Sequence, residues 1–229
     1  MTTIHQRIGR IEQVAQHYVD AAAFSSIEWL IYQRGSILNA GNVGYAYREE
    51  KMPVPDTPIY RMYSMTKPIV SAMGLILIEQ GRLHLFDPIG KFIPGFKRPD
   101  ILNTHGIRAP AHGPITVEHL FTHRSGLSYG FMPGCPVGEL YRKHNLAEDG
   151  SRSLAEYVDV LSTLPIAFEP GSRWHYSCST DVLARIIEIV MNESLDQVLQ
   201  RYIFVPLGMK ETGFFVALNN MSLLMPQHG

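Results

Sequence analysis

The stretch that most constrains this chain is Met65 to Gln80, which carries apolar residues nearly all round a helical wheel. A helix without a polar face has to be covered by other elements, so this run predicts a buried central helix in a layered domain. Gly81 follows it as a C-terminal stop. The apolar core of the run, Ile69 to Ile78, is far short of the ~20 residues that a membrane span needs. No membrane association is expected.

The rest of the pattern supplies candidates for the covering layers. Ile4, Ile8, Ile11, Ala15, Tyr18 and Ala22 recur at helical spacing and predict an amphipathic first helix. Ile27–Tyr32 and Ile37–Tyr47 read as strands, with Arg34-Gly35-Ser36 as the turn of a hairpin. Prolines at 88, 94 and 99 interrupt any long element between Leu83 and Arg108. Short helices are expected after Thr116 and over Leu154–Leu164, and a longer one through Val182–Val190. Ser194 with Gln197 signs the start of another, which Pro206 stops. The order is helix, hairpin, buried helix, then a mostly helical region, with thin strand content.

Composition removes several function classes. Of 229 residues, 45% are hydrophobic and 18% charged, below the ~25% charged share usual in soluble domains, so the chain is not disordered. Twenty basic and 21 acidic residues give a net charge of −1, which leaves no electrostatic footprint for nucleic acid. Cys135 and Cys178 make neither a disulfide framework nor a CxxC zinc pattern. Met1 to Asp20 contains no apolar signal core, so a cytoplasmic protein is expected.

Four segments could carry chemistry. Ser64-Met65-Thr66-Lys67 is an S-x-x-K at the start of the apolar helix. Residues three apart share a helix face, so the Lys67 amine can lie beside the Ser64 hydroxyl. Burial and the helix dipole both disfavour an ammonium there, which would push Lys67 toward a usable base, and the Ser64 N–H could face a developing oxyanion. By itself, an S-x-x-K is expected by chance about once in a chain of this length.

Gly126-Leu127-Ser128-Tyr129-Gly130 matches G-x-S-x-G literally, but that motif needs a strand before the serine and a helix after it. Here a short helix precedes and Met132-Pro133-Gly134 follows, so the segment reads as a turn. His119 and His123 are spaced as one helical face could bear them, yet the H-E-x-x-H order is absent and a polar or capping role is expected instead of metal ligation. Tyr176, just before a helix, could act as acid or base if lysine charge lowered its pKa; the alternative is a core tyrosine with a backbone partner.

Taken in order, these segments resemble the serine β-lactamase-like superfamily of class C β-lactamases, D-Ala-D-Ala peptidases and family VIII carboxylesterases. Tyr63-Ser64-Met65-Thr66-Lys67 resembles the first motif, and Leu83-His84-Leu85-Phe86-Asp87-Pro88 the L-x-L-x-D-P segment. Ile115 to Leu127 is similar to I-T-[VI]-x-x-L-L-T-H-x-S-G-L. Phe168-Glu169-Pro170-Gly171 with Tyr176-Ser177 resembles the second motif, and Pro206 to Thr212 the later P-L-G-M-x-x-T.

The resemblance implies an α/β (α+β) fold of the β-lactamase/transpeptidase type, an antiparallel sheet flanked by helices plus a mostly helical region. It implies one incomplete domain over 1–229: helix and hairpin in 1–63, motif helix and helical region in 64–205, and the start of a return to the sheet in 206–229. It also implies that Ser64 is the acyl-accepting nucleophile, Lys67 its activating partner and Tyr176 the second base, with no metal or organic cofactor.

Two departures from the family pattern bear on function. Where lactamases and peptidases have Tyr-x-Asn, this chain has Tyr176-Ser177-Cys178, and a thiol cannot replace a carboxamide. Similar esterases have Tyr-Ser followed by Asp-Val-Leu, which Asp181-Val182-Leu183 matches, so a small-molecule ester is the expected substrate ahead of an amide. The third motif, on a strand beyond P-L-G-M that gives the second oxyanion N–H, has no counterpart, since 20 residues follow Met209. A C-terminally truncated chain is therefore expected. The alternatives to an esterase are a β-lactamase or peptidase-like hydrolase, and a catalytically impaired paralogue or binding module.

Overall fold

The structure is a computed structural model and describes residues 8–103, 105–146 and 150–227. Its backbone forms two compact units: Met1–Met62 with Phe214–Gly229, and Tyr63–Gly213.

In the first unit an amphipathic helix, α1 (Arg10–Asp20), buries Ala15 and Val19 against Val43, Ile27 and Trp29. Ile4 of the expected helix lies outside the described residues. Strands β1 (Ser26–Gln33) and β2 (Ser36–Tyr47) form the expected antiparallel hairpin. Arg34 and Gly35 turn it with φ of 51° and 82°, both left-handed as a two-residue primed turn requires. A bulge between Ile31 and Tyr32 shifts the register, and a short strand β3 (Met52–Pro53) pairs with the other edge of β2. The C-terminal segment returns to the same unit: Ile59 donates its N–H to the Leu223 carbonyl and accepts that of Met225, and it bridges Leu224 in parallel.

The second unit holds the larger core. Tyr63–Met65 forms a 3-10 turn that leads into α2 (Thr66–Glu79). Val70, Met73, Gly74 and Leu77 of α2 are buried at i, i+3, i+4, i+7 spacing, whereas Leu75 is 53% exposed. Full coverage was expected from the all-round apolar pattern; only one stripe is covered, because the helices packed on it occupy one side.

Short strands β4 (Asp100–Leu102) and β5 (Arg108–Pro110) pair in the proline-interrupted segment. Helix α3 (Val117–Phe121) is short because Thr116 and His119 close a capping box at its start and His123 turns left-handed just beyond its end. Helices α4 (Gly138–Lys143), α5 (Leu154–Ser162), α6 (Ser179–Met191) and α7 (Leu195–Leu199) complete the unit. Ser153 caps α5 and Ser194 caps α7, each accepting the backbone N–H three residues on. Val182, Leu183, Ile186 and Ile187 of α6 face the same core as Met73, Leu77, Leu120, Leu127 and Leu161. Among the described residues no strand follows Pro110, and no helix is long and apolar enough to cross a membrane.

Candidate active site

Ser64 sits in the turn that opens α2, where first-turn N–H groups have no intrahelical acceptor. The preceding Tyr63 has φ of 44°, a left-handed conformation that bulky residues adopt only at a cost. This bend sets Ser64 exposed at the head of the helix. One turn on, Lys67 donates from Nζ to Ser64 Oγ at 3.2 Å. Tyr176, which comes from the segment before α6, places its Oη 2.6 Å from the same Oγ. The three residues expected from the sequence to form a site are brought together by the second unit alone.

Rings and charges surround the trio. Lys67 Nζ lies 4.8 Å from the centre of the Tyr176 ring and 5.5 Å from that of Tyr129. Hydrogen bonds from Lys67 and then Ser64 hold the Tyr176 phenol below its ordinary pKa of 10.0, since both stabilise the phenolate. The Asp181 carboxyl is pushed up by burial, and the attraction of Lys67 only partly offsets this. Burial likewise pushes up the Cys178 thiol, which is fully enclosed.

Tyr176 is held by two strips of chain that lie side by side. Ala167 donates to the Gly126 carbonyl, Gly171 to that of Arg124, His175 to that of His123 and Cys178 to that of Ser128. The Arg124 guanidinium in turn donates to the Gly171 carbonyl. Two glycines permit the approach. A Cβ on Gly126 (φ 84°) would stand 2.4 Å from the Phe168 carbonyl oxygen, and one on Gly171 (φ 80°) 2.9 Å from His119 Nε2. The T-H-R-S-G-L and F-E-P-G segments are thus two halves of one clasp that presents Tyr176.

Ser128 is placed differently. Its Oγ lies 2.8 Å from His175 Nε2, a serine–histidine pair, but the serine is fully buried. A triad histidine needs a carboxylate to orient and charge-balance it. Burial and then the Arg173 cation hold the His175 pKa below the ordinary value, and among the described residues no carboxylate is hydrogen-bonded to or paired with its ring. The pair is a brace between the halves of the clasp, and the G-x-S-x-G match remains a turn.

The two histidines weighed for metal binding are apart in role. The His119 ring accepts the Thr116 N–H through Nδ1 at 3.2 Å, which is the capping role. His123 lies 3.3 Å from Ser177 Oγ through Nδ1. Among the described residues no group of three or more His, Cys, Asp or Glu side chains is placed to hold a metal ion.

Sequence reasoning missed Tyr129, which stacks on Phe131 with ring centres 4.9 Å apart and tilts against Tyr176 at 5.5 Å. It also gave Asp181 and His123 no part beside Lys67 and Tyr176. Only the register of S-G-L-S-Y after the capped α3 hinted that Tyr129 would return toward α2.

The Beta-lactamase family model matches residues 11–224. Protein Rv1367c of Mycobacterium tuberculosis is 32% identical over 206 residues, covering 86% of this chain and 49% of that protein. Esterase EstB of Burkholderia gladioli is 33% identical over 193 residues, covering 82% and 46%. The structure of EstCE1, described as a hydrolase with promiscuous acyltransferase activity, superposes with a TM-score of 0.80 at 30% identity, covering 95% of this chain and 55% of that one. The chain spans about half the length of the curated relatives it matches. The motif order, the fold and the family match over 11–224 agree, and the chain belongs to the Beta-lactamase family of serine hydrolases.

Proposed function

We propose that this chain carries the acylation machinery of a carboxylesterase acting on small, short-chain esters, with Ser64 as nucleophile and Lys67 and Tyr176 as its proton-handling partners. The observation that carries the reading is the Ser64 Oγ, 2.6 Å from Tyr176 Oη and 3.2 Å from Lys67 Nζ. Both distances lie within or at the edge of direct proton transfer.

The Ser64 Oγ attacks the ester carbonyl carbon as its proton passes to the Tyr176 phenolate. The Ser64 N–H, at the head of α2, serves in this reading as a donor to the oxyanion. Collapse of the tetrahedral intermediate breaks the ester C–O bond, and the alkoxide takes the proton back from Tyr176 and leaves as alcohol. Water, deprotonated by the same phenolate, then cleaves the acyl-enzyme to carboxylate and free Ser64. Lys67, donating to Ser64 and lying over the Tyr176 ring, keeps the phenolate accessible.

An ester is favoured over a lactam or peptide by the residue two beyond Tyr176. Cys178 is enclosed in the core and has no carboxamide to hold an amide substrate. The esterase EstB and the hydrolase EstCE1 support acyl-ester chemistry in the same direction. Hydrolysis of p-nitrophenyl acetate and butyrate, measured beside a chromogenic cephalosporin, tests the reading. Ester turnover lost in Ser64→Ala is expected; cephalosporin turnover exceeding ester turnover overturns it.

A further inference from the structure

Tyr176 has to reach Ser64 from a loop, and a loop side chain keeps a 2.6 Å contact only if something fixes its backbone and its ring. One residue touches every part of that loop. The His123 carbonyl accepts the His175 N–H at 2.8 Å. Its ring packs on Tyr176 with centres 5.1 Å apart and meets Trp174 edge-on at 6.4 Å. Its Nδ1 lies 3.3 Å from Ser177 Oγ. Four consecutive residues, 174 to 177, are therefore held by a single side chain and its carbonyl.

The conformation of His123 is itself unusual. Its φ is 53°, a left-handed backbone that a non-glycine residue adopts only at a cost. Behind it runs a chain of enclosed hydroxyls. Ser177 Oγ lies 2.7 Å from Ser179 Oγ, which lies 2.7 Å from Ser125 Oγ, and the last accepts the Leu127 N–H at 3.1 Å. All three serines are fully buried, so the chain is rigid and returns to the loop that bears His123. Burial, then the charge of Lys67 and then that of His175, hold the His123 pKa below the ordinary histidine value.

We propose that His123, backed by the Ser177–Ser179–Ser125 hydroxyl chain, is a positioning residue that sets the reach of Tyr176 to Ser64. This rests on the reading of Tyr176 as the proton acceptor. Its effect on Tyr176 can nevertheless be measured without turnover.

The test uses the full chain labelled with [13Cζ]tyrosine, with the Tyr176 resonance assigned by its loss in Tyr176→Phe. His123→Ala removes the ring and the Nδ1 contact. His123→Asn keeps a hydrogen-bonding atom near the Nδ1 position and tolerates a left-handed backbone. In His123→Ala the Tyr176 titration is expected to move up toward the ordinary tyrosine value. The kcat for p-nitrophenyl butyrate should fall about 10–100-fold with KM within about twofold of wild type. His123→Asn should recover most of both. Should His123→Ala not fold, Ser177→Ala must move the same resonance in the same direction.

A folded His123→Ala with an unmoved Tyr176 titration and unchanged kcat overturns the proposal, even if its Tm falls. A Tyr176 titration that shifts in a chain with no ester turnover would uphold His123 and sink the esterase reading instead.

Discussion

The Ser64 hydroxyl and the Tyr176 phenol lie 2.6 Å apart although 112 residues separate them. Lys67 donates to the same serine oxygen and holds the phenol below its ordinary pKa. If the phenolate is the working base, kcat/KM for a p-nitrophenyl ester rises with pH, because deprotonation creates the base. Its midpoint should fall below the ordinary tyrosine value. Lys67→Gln should shift it to higher pH and Tyr176→Phe should lower kcat about 10²–10⁴-fold. A profile that is unchanged in Lys67→Gln would refute the assignment.

Ser128→Ala separates the two serines. Its brace to His175 is part-buried, and its loss costs about 1 kcal/mol, the net worth of an ordinary hydrogen bond. Thermal melting should therefore fall by several degrees while kcat of the folded protein stays within about threefold. Covalent labelling by a fluorophosphonate should persist in Ser128→Ala and vanish in Ser64→Ala. The reverse pattern would make Ser128 the nucleophile.

Asp181 gives a stability prediction with a definite sign. Burial raises its pKa in the folded chain, so the folded state holds a proton that the unfolded state releases. Stability from this group is full at acid pH and is lost as pH rises from the ordinary carboxylate range through the raised value. Asp181→Asn removes that loss. Its Tm should exceed wild type at pH 8 and match it near pH 4. Calorimetry at the two pH values checks this, and a lower Tm for Asp181→Asn at pH 8 would contradict it.

Gly126→Ala probes the clasp. The new Cβ would meet the Phe168 carbonyl at 2.4 Å on a left-handed backbone, and a carbonyl in a paired strip cannot swing aside. The expected cost is about 2 kcal/mol or more, with kcat falling as Tyr176 moves. Unfolding by urea, read beside ester turnover, measures both; a variant as stable and active as wild type would show the strips to be loosely joined.

Much of this was legible in the sequence. The hairpin, the capped helices after Thr116 and Ser194 and the apolar helix after Ser64 follow from local spacing and turn chemistry, and S-x-x-K fixes two of the trio by helical geometry alone. Tyr176 stood out locally as a tyrosine before a helix, but its pairing with Ser64 came only through resemblance, since nothing local says which distant helix head a loop tyrosine will meet. The Ser128–His175 brace and the His123 contacts were not legible, because each depends on non-local pairing between strips more than 40 residues apart. The exposure of Leu75 was also hidden, because periodicity reports how apolar a helix is and not how many neighbours will cover it.

The clasp has a consequence for how such sites can be altered. Four backbone bonds tie 123–128 to 167–178, and the missing side chains of Gly126 and Gly171 allow the close approach to Phe168 and His119, so neither strip holds its shape without the other. Grafting the Tyr176 segment from a relative with different chemistry will transplant the base but not its aim. A recombinant library crossing between residues 128 and 167 should yield mostly inactive hybrids, while one exchanging 115–178 as a block should keep a working geometry. In such swaps the inheritable unit of this site is the pair of strips rather than any of its motifs.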